Sequence, residues 1–285
     1  MSRFLDGMFN SAQMVKPTVT QPILPTVGLS ALWIGHSSVL VQIEDKVFLT
    51  DPVFSNTIGM LAPRAYSAGL DPRSISKVDV VLISHLHMDH FAFGSIDQLP
   101  KHGMLVLPPG GSVYSPDFGF KETVELKTWT VYEQDGIRIT AVPVMHFSGR
   151  YGFDSQWQSE PGYGGYVVEY KGRSFFYPGD TGYRQNFFQE IGERFRIDLA
   201  ILPIGPAGSA DRIASRIHAG PLGALEILKE VKGKYMIPVH YMAFFQGFEA
   251  TPTRPREVLD KTVKERGMQE RVFILEIGEQ KIIIP

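Results

Sequence analysis

The chain of 285 residues contains no cysteine. Disulfide scaffolds, thiolate metal sites, iron–sulfur clusters and cysteine nucleophiles are thereby excluded. Any metal must be held by His, Asp and Glu, donors that suit catalytic zinc, iron or manganese better than a closed structural zinc. An excess of one charge sign is also lacking: 28 Lys and Arg stand against 30 Asp and Glu, a formal net charge of -2. Nothing in that balance pulls the chain toward a phosphate backbone, so nucleic acid is not the expected partner. No apolar run approaches the roughly 20 residues that span a bilayer. The N-terminus has no basic start, apolar core and small-residue cleavage site, and the expected location is cytoplasmic. There is no GxSxG segment to supply a serine nucleophile.

What is present is mostly strand. Leu32 to Gln42 and Val47 to Thr50 are β-rich runs around the turn Glu44-Asp45-Lys46, which predicts a hairpin. Val78 to Ser84 is a mostly apolar run, the pattern of a strand buried on both faces. Leu105 to Leu107 predicts another strand. Asp135-Gly136 predicts a turn into a strand over Ile137 to Val144, and Lys171-Gly172 a turn between Tyr166 to Tyr170 and Ser174 to Tyr177. Leu199 to Pro203, Val272 to Ile277 and Lys281 to Ile284 complete the strands. Leu222 to Val231 and Arg256 to Arg266 have helical periodicity. Residues 1–27 read as a short helix, with Phe4, Leu5, Met8 and Phe9 on one face, followed by a proline-containing arm. That face either caps the body or forms an amphipathic lip in peripheral contact with a membrane. Residues 28–285 then form one α/β domain of two packed sheets with outer helices.

The chemistry is concentrated at His85-Leu86-His87-Met88-Asp89-His90, which directly follows the buried strand. His85 and His87 alternate and share one side of an extended backbone, while Asp89 and His90 lie past the bend. One metal on the first pair and a second on the other pair is the natural geometry. Two metals need about seven or eight ligands, so more come from downstream. His146 follows the predicted strand that ends at Val144, and His240 follows a further predicted strand, Met236 to Val239. Asp180 sits in Pro178-Gly179-Asp180-Thr181-Gly182, where glycines permit close approach and a carboxylate can bridge two cations. His102 reads as a solvent-facing loop residue.

With Trp33-Ile34-Gly35-His36-Ser37-Ser38, Thr50-Asp51-Pro52-Val53-Phe54-Ser55, Pro178 to Tyr183, Leu202 to Gly205 and Pro238-Val239-His240, the chain resembles the metallo-β-lactamase superfamily of binuclear hydrolases. Within it, the chain is similar to the N-acyl-phosphatidylethanolamine phospholipase D-like branch, near the ascorbate-phosphate lactonase-like group. The resemblance implies an αββα sandwich, two mixed sheets flanked by helices. It implies two divalent ions, zinc as a rule with manganese or iron as alternatives. His85, His87 and His146 would hold the first, Asp89, His90 and His240 the second, with Asp180 bridging. Asp51 would stand behind the ligands, and His36 reads as a buried, hydrogen-bonded histidine. His218 would help with substrate or leaving group. The Ala219-Gly220-Pro221 that follows departs from an acidic helix start, and a capping or surface histidine stands as an equal alternative.

The expected reaction is hydrolysis by a metal-bridging hydroxide that Asp89 helps orient. A phosphodiester of a phospholipid-like substrate is the first expectation, and a lactone or other carboxylic ester of a small sugar-derived substrate the second. Arg150 is expected to pair with a phosphate, and Tyr151 and Trp157 to bed an acyl chain, with Phe244 and Phe245 adding an apolar entrance. A small-molecule or lipid substrate and a homodimer are the partners this reading allows. A carboxylate at the position of His87 and a flavin domain, both expected of a redox diiron relative, are missing.

Overall fold

The computed structural model describes residues 12–15, 19–58, 62–151, 154, 159–205, 217–244 and 252–285. The expected N-terminal helix, Trp157 and Phe245 lie outside the described residues. Strands β1 (Leu29–Gly35), β2 (Ser38–Ile43) and β3 (Lys46–Thr50) form an antiparallel meander. A two-residue ribbon, β4 (Thr57–Ile58) with β5 (Ala62–Pro63), follows. Then come β6 (Val80–Leu82), the short helix α1 (Phe93–Asp97), β7 (Met104–Leu107) and β8 (Glu122–Glu125). β6 runs parallel to β3, β7 to β6 and β8 to β7. The second half holds β9 (Val131–Gln134), β10 (Ile137–Val142), β11 (Gly165–Tyr170) and β12 (Arg173–Tyr177). It continues with helix α2 (Gln185–Arg194), β13 (Leu199–Pro203), helix α3 (Pro221–Glu230), β14 (Tyr235–Val239) and helix α4 (Arg254–Glu265). The last strand, β15 (Gln280–Ile284), crosses back to pair with β1. Among the described residues the result is a seven-stranded sheet, β15-β1-β2-β3-β6-β7-β8, and a six-stranded sheet, β14-β13-β12-β11-β10-β9.

Period-two alternation decides which sheet face is buried where. Leu29, Ala31 and Trp33 of β1, with Val39 and Val41 of β2 and Phe48 of β3, join the core between the sheets. Phe48 meets Phe175 of β12 edge to face at 5.5 Å between ring centres. The alternate residues Leu32, Ile34, Leu40 and Leu49 pack outward against Ile96 of α1 and Leu99. On the other outer face, Phe188 and Ile191 of α2, Ile227 of α3 and Leu259 of α4 cover the six-stranded sheet. Two mixed sheets packed face to face between helices is the sandwich expected. Among the described residues no helix is long and apolar enough to cross a membrane.

The hairpin turns follow their residues. Asp135 and Gly136 have φ of 51° and 78°, and Lys171 and Gly172 have 46° and 74°, the paired left-handed values that match the twist of a tight hairpin. Two expectations need correction. Leu32 to Gln42 is not one run: Gly35 at φ 120° and His36 at φ 55° turn the chain, so it becomes β1 and β2. Val272 to Ile277 makes only an isolated bridge, Val272 to Met236. Its buried positions, Val272, Leu275 and Ile277, do not alternate, so the segment packs by side chains without a ladder. β8 and β9 escape sequence reading because they are edge strands with partly exposed, charged sequences, ETVE and VYEQ.

Candidate metal centre

The metal-type side chains converge at one end of the sandwich, just past the C-terminal ends of the strands. His36 follows β1, Asp51 follows β3, His85 to His90 follow β6, His146 follows β10, Asp180 follows β12 and His240 follows β14. This is the end of a sheet where parallel strands leave backbone groups open and connections diverge. Three of these residues depart from ordinary backbone. His36, Asp51 and His240 have φ of 55°, 31° and 62°, a left-handed region that non-glycine residues occupy at a cost. Gly179, at φ 62°, has no room for a side chain, because an added Cβ would lie 2.2 Å from Cβ of Ser84.

Four sets of donors have ligating atoms within 4.8 Å of one another; Asp51, His85 and His90 make one, Asp180, His218 and His240 another, and the remaining two are the main donor groups. The first is His85, His87 and His146; the second is His36, Asp89, His90 and His240. In the first, Nε2 of His85 and Nδ1 of His87 are 2.9 Å apart. Asp180 lies between the groups. Its Oδ2 is 2.9 Å from Nε2 of His240, 3.4 Å from Nε2 of His90 and 4.0 Å from Nε2 of His146. The seven residues expected to hold metal are thus brought to one place.

Behind them stands a shell of orienting groups. Asp51, fully buried, accepts from the backbone amide of Ser84 at 2.7 Å and from Nδ1 of His90 at 2.7 Å. The Ser84 and Tyr177 hydroxyls also donate to Asp51. Nδ1 of His146 donates to the carbonyl of Ile217 at 3.1 Å. His36 is fully buried, with Nε2 3.1 Å from Oδ2 of Asp89, the buried and hydrogen-bonded state expected of it.

Burial and charge divide the imidazoles. Burial pushes His85 well below its ordinary value, lowers His87, and brings His146 down to about 3. His36 is likewise held at about 3 by burial and by neighbouring His240. Burial also disfavours the His90 cation, but Asp180 and Asp89 outweigh it and raise His90 well above the usual range. Burial opposes ionisation of Asp180 and Asp89 too, yet the facing imidazoles hold both below the usual carboxylate range.

These residues fit divalent cations. Among the described residues, the buried atoms Nε2 of His90, Nε2 of His146 and Oδ1 of Asp180 have no hydrogen-bond partner. Buried polar atoms are rarely left so unless something else binds them. Imidazoles kept neutral offer lone pairs, and carboxylates and imidazoles form a donor set suited to zinc, manganese or iron.

His218 belongs to the same place. Its Nδ1 is 3.5 Å from Oδ2 of Asp180, and its ring stacks on His240 at 5.3 Å between centres. Burial holds its pKa near 4. The cap of α3 is Gly220, with no side-chain cap bond, so the capping alternative falls. His102 is exposed in its loop.

The expected substrate contacts fare differently. Arg150 is half-buried and donates through Nη1 to the carbonyls of Leu86 at 3.2 Å and Phe91 at 2.5 Å, with its guanidinium over Phe93 at 4.1 Å. It ties the metal-binding loop to its surroundings instead of facing outward as a phosphate partner would. Phe244 is 4% exposed and lies edge-on to His36 at 4.9 Å, with Arg64 over its other side at 5.0 Å. It supports the second donor group from behind and lines no entrance. Tyr151 is 67% exposed, as an accessible contact requires. Sequence reasoning missed Phe147, which is 50% exposed and whose ring lies 5.0 Å from those of both His87 and His146. Its position directly after a ligand histidine was the available signal.

Comparison with known proteins agrees with this geometry. Residues 46–241 match the family model of the beta-lactamase superfamily domain. The chain is 28% identical over 264 residues to the mitochondrial N-acyl-phosphatidylethanolamine-hydrolyzing phospholipase D of Saccharomyces cerevisiae, covering 87% of this chain and 54% of that protein. The chain thus spans about half the length of that relative. It is 30% identical over 250 residues to a UPF0173 metal-dependent hydrolase of Methanopyrus kandleri, covering 87% of this chain and 96% of the relative. In fold it is similar to a possible metal-dependent hydrolase from Veillonella parvula, with a TM-score of 0.69 at 17% identity over 89% of this chain and 98% of the other. With a family match over most of its length and a His/Asp cluster that could bind metal at the expected edge, the chain belongs to the metallo-β-lactamase superfamily and is a metal-dependent hydrolase.

Proposed function

We propose that this hydrolase is binuclear, binds zinc, and cleaves a phosphodiester bond of a phospholipid-like substrate. The observation that carries the reading is Asp180, whose carboxylate faces members of both donor groups at once. His85, His87 and His146 would hold one ion, Asp89, His90 and His240 the other, with Asp180 shared. When bound, such ions acidify water and neutralise charge developing on phosphoryl oxygens. The protein's own groups do the rest. His36 holds the Asp89 carboxylate in place, and Asp51 holds the His90 ring. His218, with its side chain 24% exposed beside Asp180, is placed to hydrogen-bond a substrate or leaving-group oxygen. Its low pKa keeps it a neutral imidazole near pH 7.

The lipid-like substrate is favoured by two features. The yeast relative named above is a phospholipase D that hydrolyses N-acyl-phosphatidylethanolamine. Beside the site histidines stand exposed apolar side chains, Phe147 and Ile217 at 50% and 42% exposure, where a narrow polar pocket would suit a small sugar-derived lactone. The test pairs metal analysis with a hydrolysis screen over bis-p-nitrophenyl phosphate, N-acyl phospholipids and lactones. We expect two zinc equivalents and turnover of the phosphodiesters. A zinc-loaded protein that opens lactones and leaves every phosphodiester intact overturns the reading.

A further inference from the structure

We propose that Ser84 is a positioning residue that sets the tautomer of His85 and couples the two donor groups through Asp51. Like the function above, it rests on the His/Asp groups being metal ligands, but the substrate does not enter it. Oδ2 of Asp51 receives Ser84 Oγ at 2.5 Å, Nδ1 of His90 at 2.7 Å and the Tyr177 hydroxyl. Its Oδ1 receives the Ser84 amide at 2.7 Å. The carboxylate oxygens accept from the Ser84 amide, the two hydroxyls and the imidazole N–H.

Ser84 has a single hydroxyl proton, and that proton is committed to Asp51. The same oxygen lies 2.9 Å from Nδ1 of His85. With no second proton to give, Ser84 Oγ accepts there, and His85 must carry its proton on Nδ1. Nε2 of His85 is then the lone-pair nitrogen, and it is the atom that faces His87. His90 donates from Nδ1 directly to Asp51, which turns its Nε2 toward Asp180. One ligand from each donor group is thus oriented by one carboxylate, directly for His90 and through the serine hydroxyl for His85. Gly179 closes the arrangement from behind, since any Cβ there would fall 2.2 Å from that of Ser84. Ser84 is 1% exposed, which shields the chain of bonds from competing water.

Ser84→Ala removes one oxygen, leaves Nδ1 of His85 without its acceptor, and introduces no new bulk. The experiment titrates zinc against a chromophoric chelator in the wild-type chain, Ser84→Ala, Asp51→Asn and the double variant. Spectra of 15N-histidine-labelled protein are recorded alongside. We expect Ser84→Ala to weaken zinc binding about 10- to 100-fold, the usual effect of losing an outer partner of a ligand histidine. The double variant should lose less than the sum of the two single losses, because both act along one chain of bonds. The spectra should show His85 protonated at Nδ1 in the wild type, with or without zinc, and lose that preference in Ser84→Ala. Ser84→Thr, which keeps the hydroxyl, should restore it. His85 protonated at Nε2 in the wild type overturns the proposal, as do strictly additive losses or unchanged zinc affinity in Ser84→Ala. If no phosphodiester is cleaved but these results hold, the substrate reading fails and the role of Ser84 stands.

Discussion

The two donor groups achieve their chemistry by different means. His85, His87 and His146 are all imidazoles, oriented by neutral oxygens, the Ser84 hydroxyl and the Ile217 carbonyl. Burial, reinforced by the neighbouring imidazoles, lowers the pKa of His85 and His146. The second group mixes Asp89 with His90 and His240, and is held by carboxylate–imidazole contacts, Asp51 to His90 and Asp89 to His36. The first group holds no carboxylate. The second is already charged, and His90 takes up a proton when nothing else balances Asp89 and Asp180. In one fold, desolvation favours neutral imidazoles in one group, while facing carboxylates offset it at His90 in the other.

That contrast can be broken at the residue common to both groups. Asp180→Ala should remove metal from both together and lower hydrolysis by at least about a thousandfold, as for loss of a member of a unit that acts together. Metal content and turnover measured on the same sample check it. Full activity in that variant refutes the bridging placement. A narrower test separates the groups. His36→Gln takes the buried imidazole from Asp89, and should weaken binding of one metal equivalent about 10- to 100-fold while the other is retained. Equal weakening of both, seen by chelator titration, contradicts the assignment of His36 to the second group alone.

The smallest effect concerns pH in the metal-free protein. His36, His85, His87, His146 and His218 are all lowered by burial, to about 3 for His36 and His146 and about 4 for His218. Unfolded, they titrate near ~6.5, so below that pH the unfolded chain binds more protons and stability falls until the folded values are reached. His90 has the opposite sign: its raised folded pKa contributes stability below ~6.5 that is lost as pH rises through that folded value. Five lowered groups outweigh one raised group, so the melting temperature should drop by several degrees between pH 7 and pH 5. A rise over that interval, followed by thermal unfolding in chelator, contradicts the balance.

Much of this was legible before folding. Asp135-Gly136 and Lys171-Gly172 specify their own hairpins, because left-handed turns demand residues that tolerate them. The HxHxDH segment announces a metal site by density, and His146, Asp180 and His240 announce themselves by following apolar strands. Arg150 and Phe244 misled, for a common reason. A guanidinium or a ring near a site can face the ligand or brace the loop that carries it, and sequence distance does not distinguish the two. Arg150 braces, through the Leu86 and Phe91 carbonyls, and Phe244 braces His36. His218, ambiguous in its loop, was decided by a stack on His240 that joins residues 22 positions apart.

Residue type, local spacing and strand periodicity settled the kind of protein: a strand-rich sandwich with a cysteine-free metal site at the end of its strands. Those signals are short-range, and they survive in a linear reading because each depends on a few neighbouring residues. The absence of cysteine was the most informative of them, since it confined the donors to the His and Asp residues that the fold later gathers. Which group each donor joins, which nitrogen each imidazole presents, and that Asp51 reaches both groups through Ser84 depend on strands far apart in the chain arriving side by side. Contacts such as Tyr177 to Asp51, separated by 126 positions, exist only once both sheets have packed.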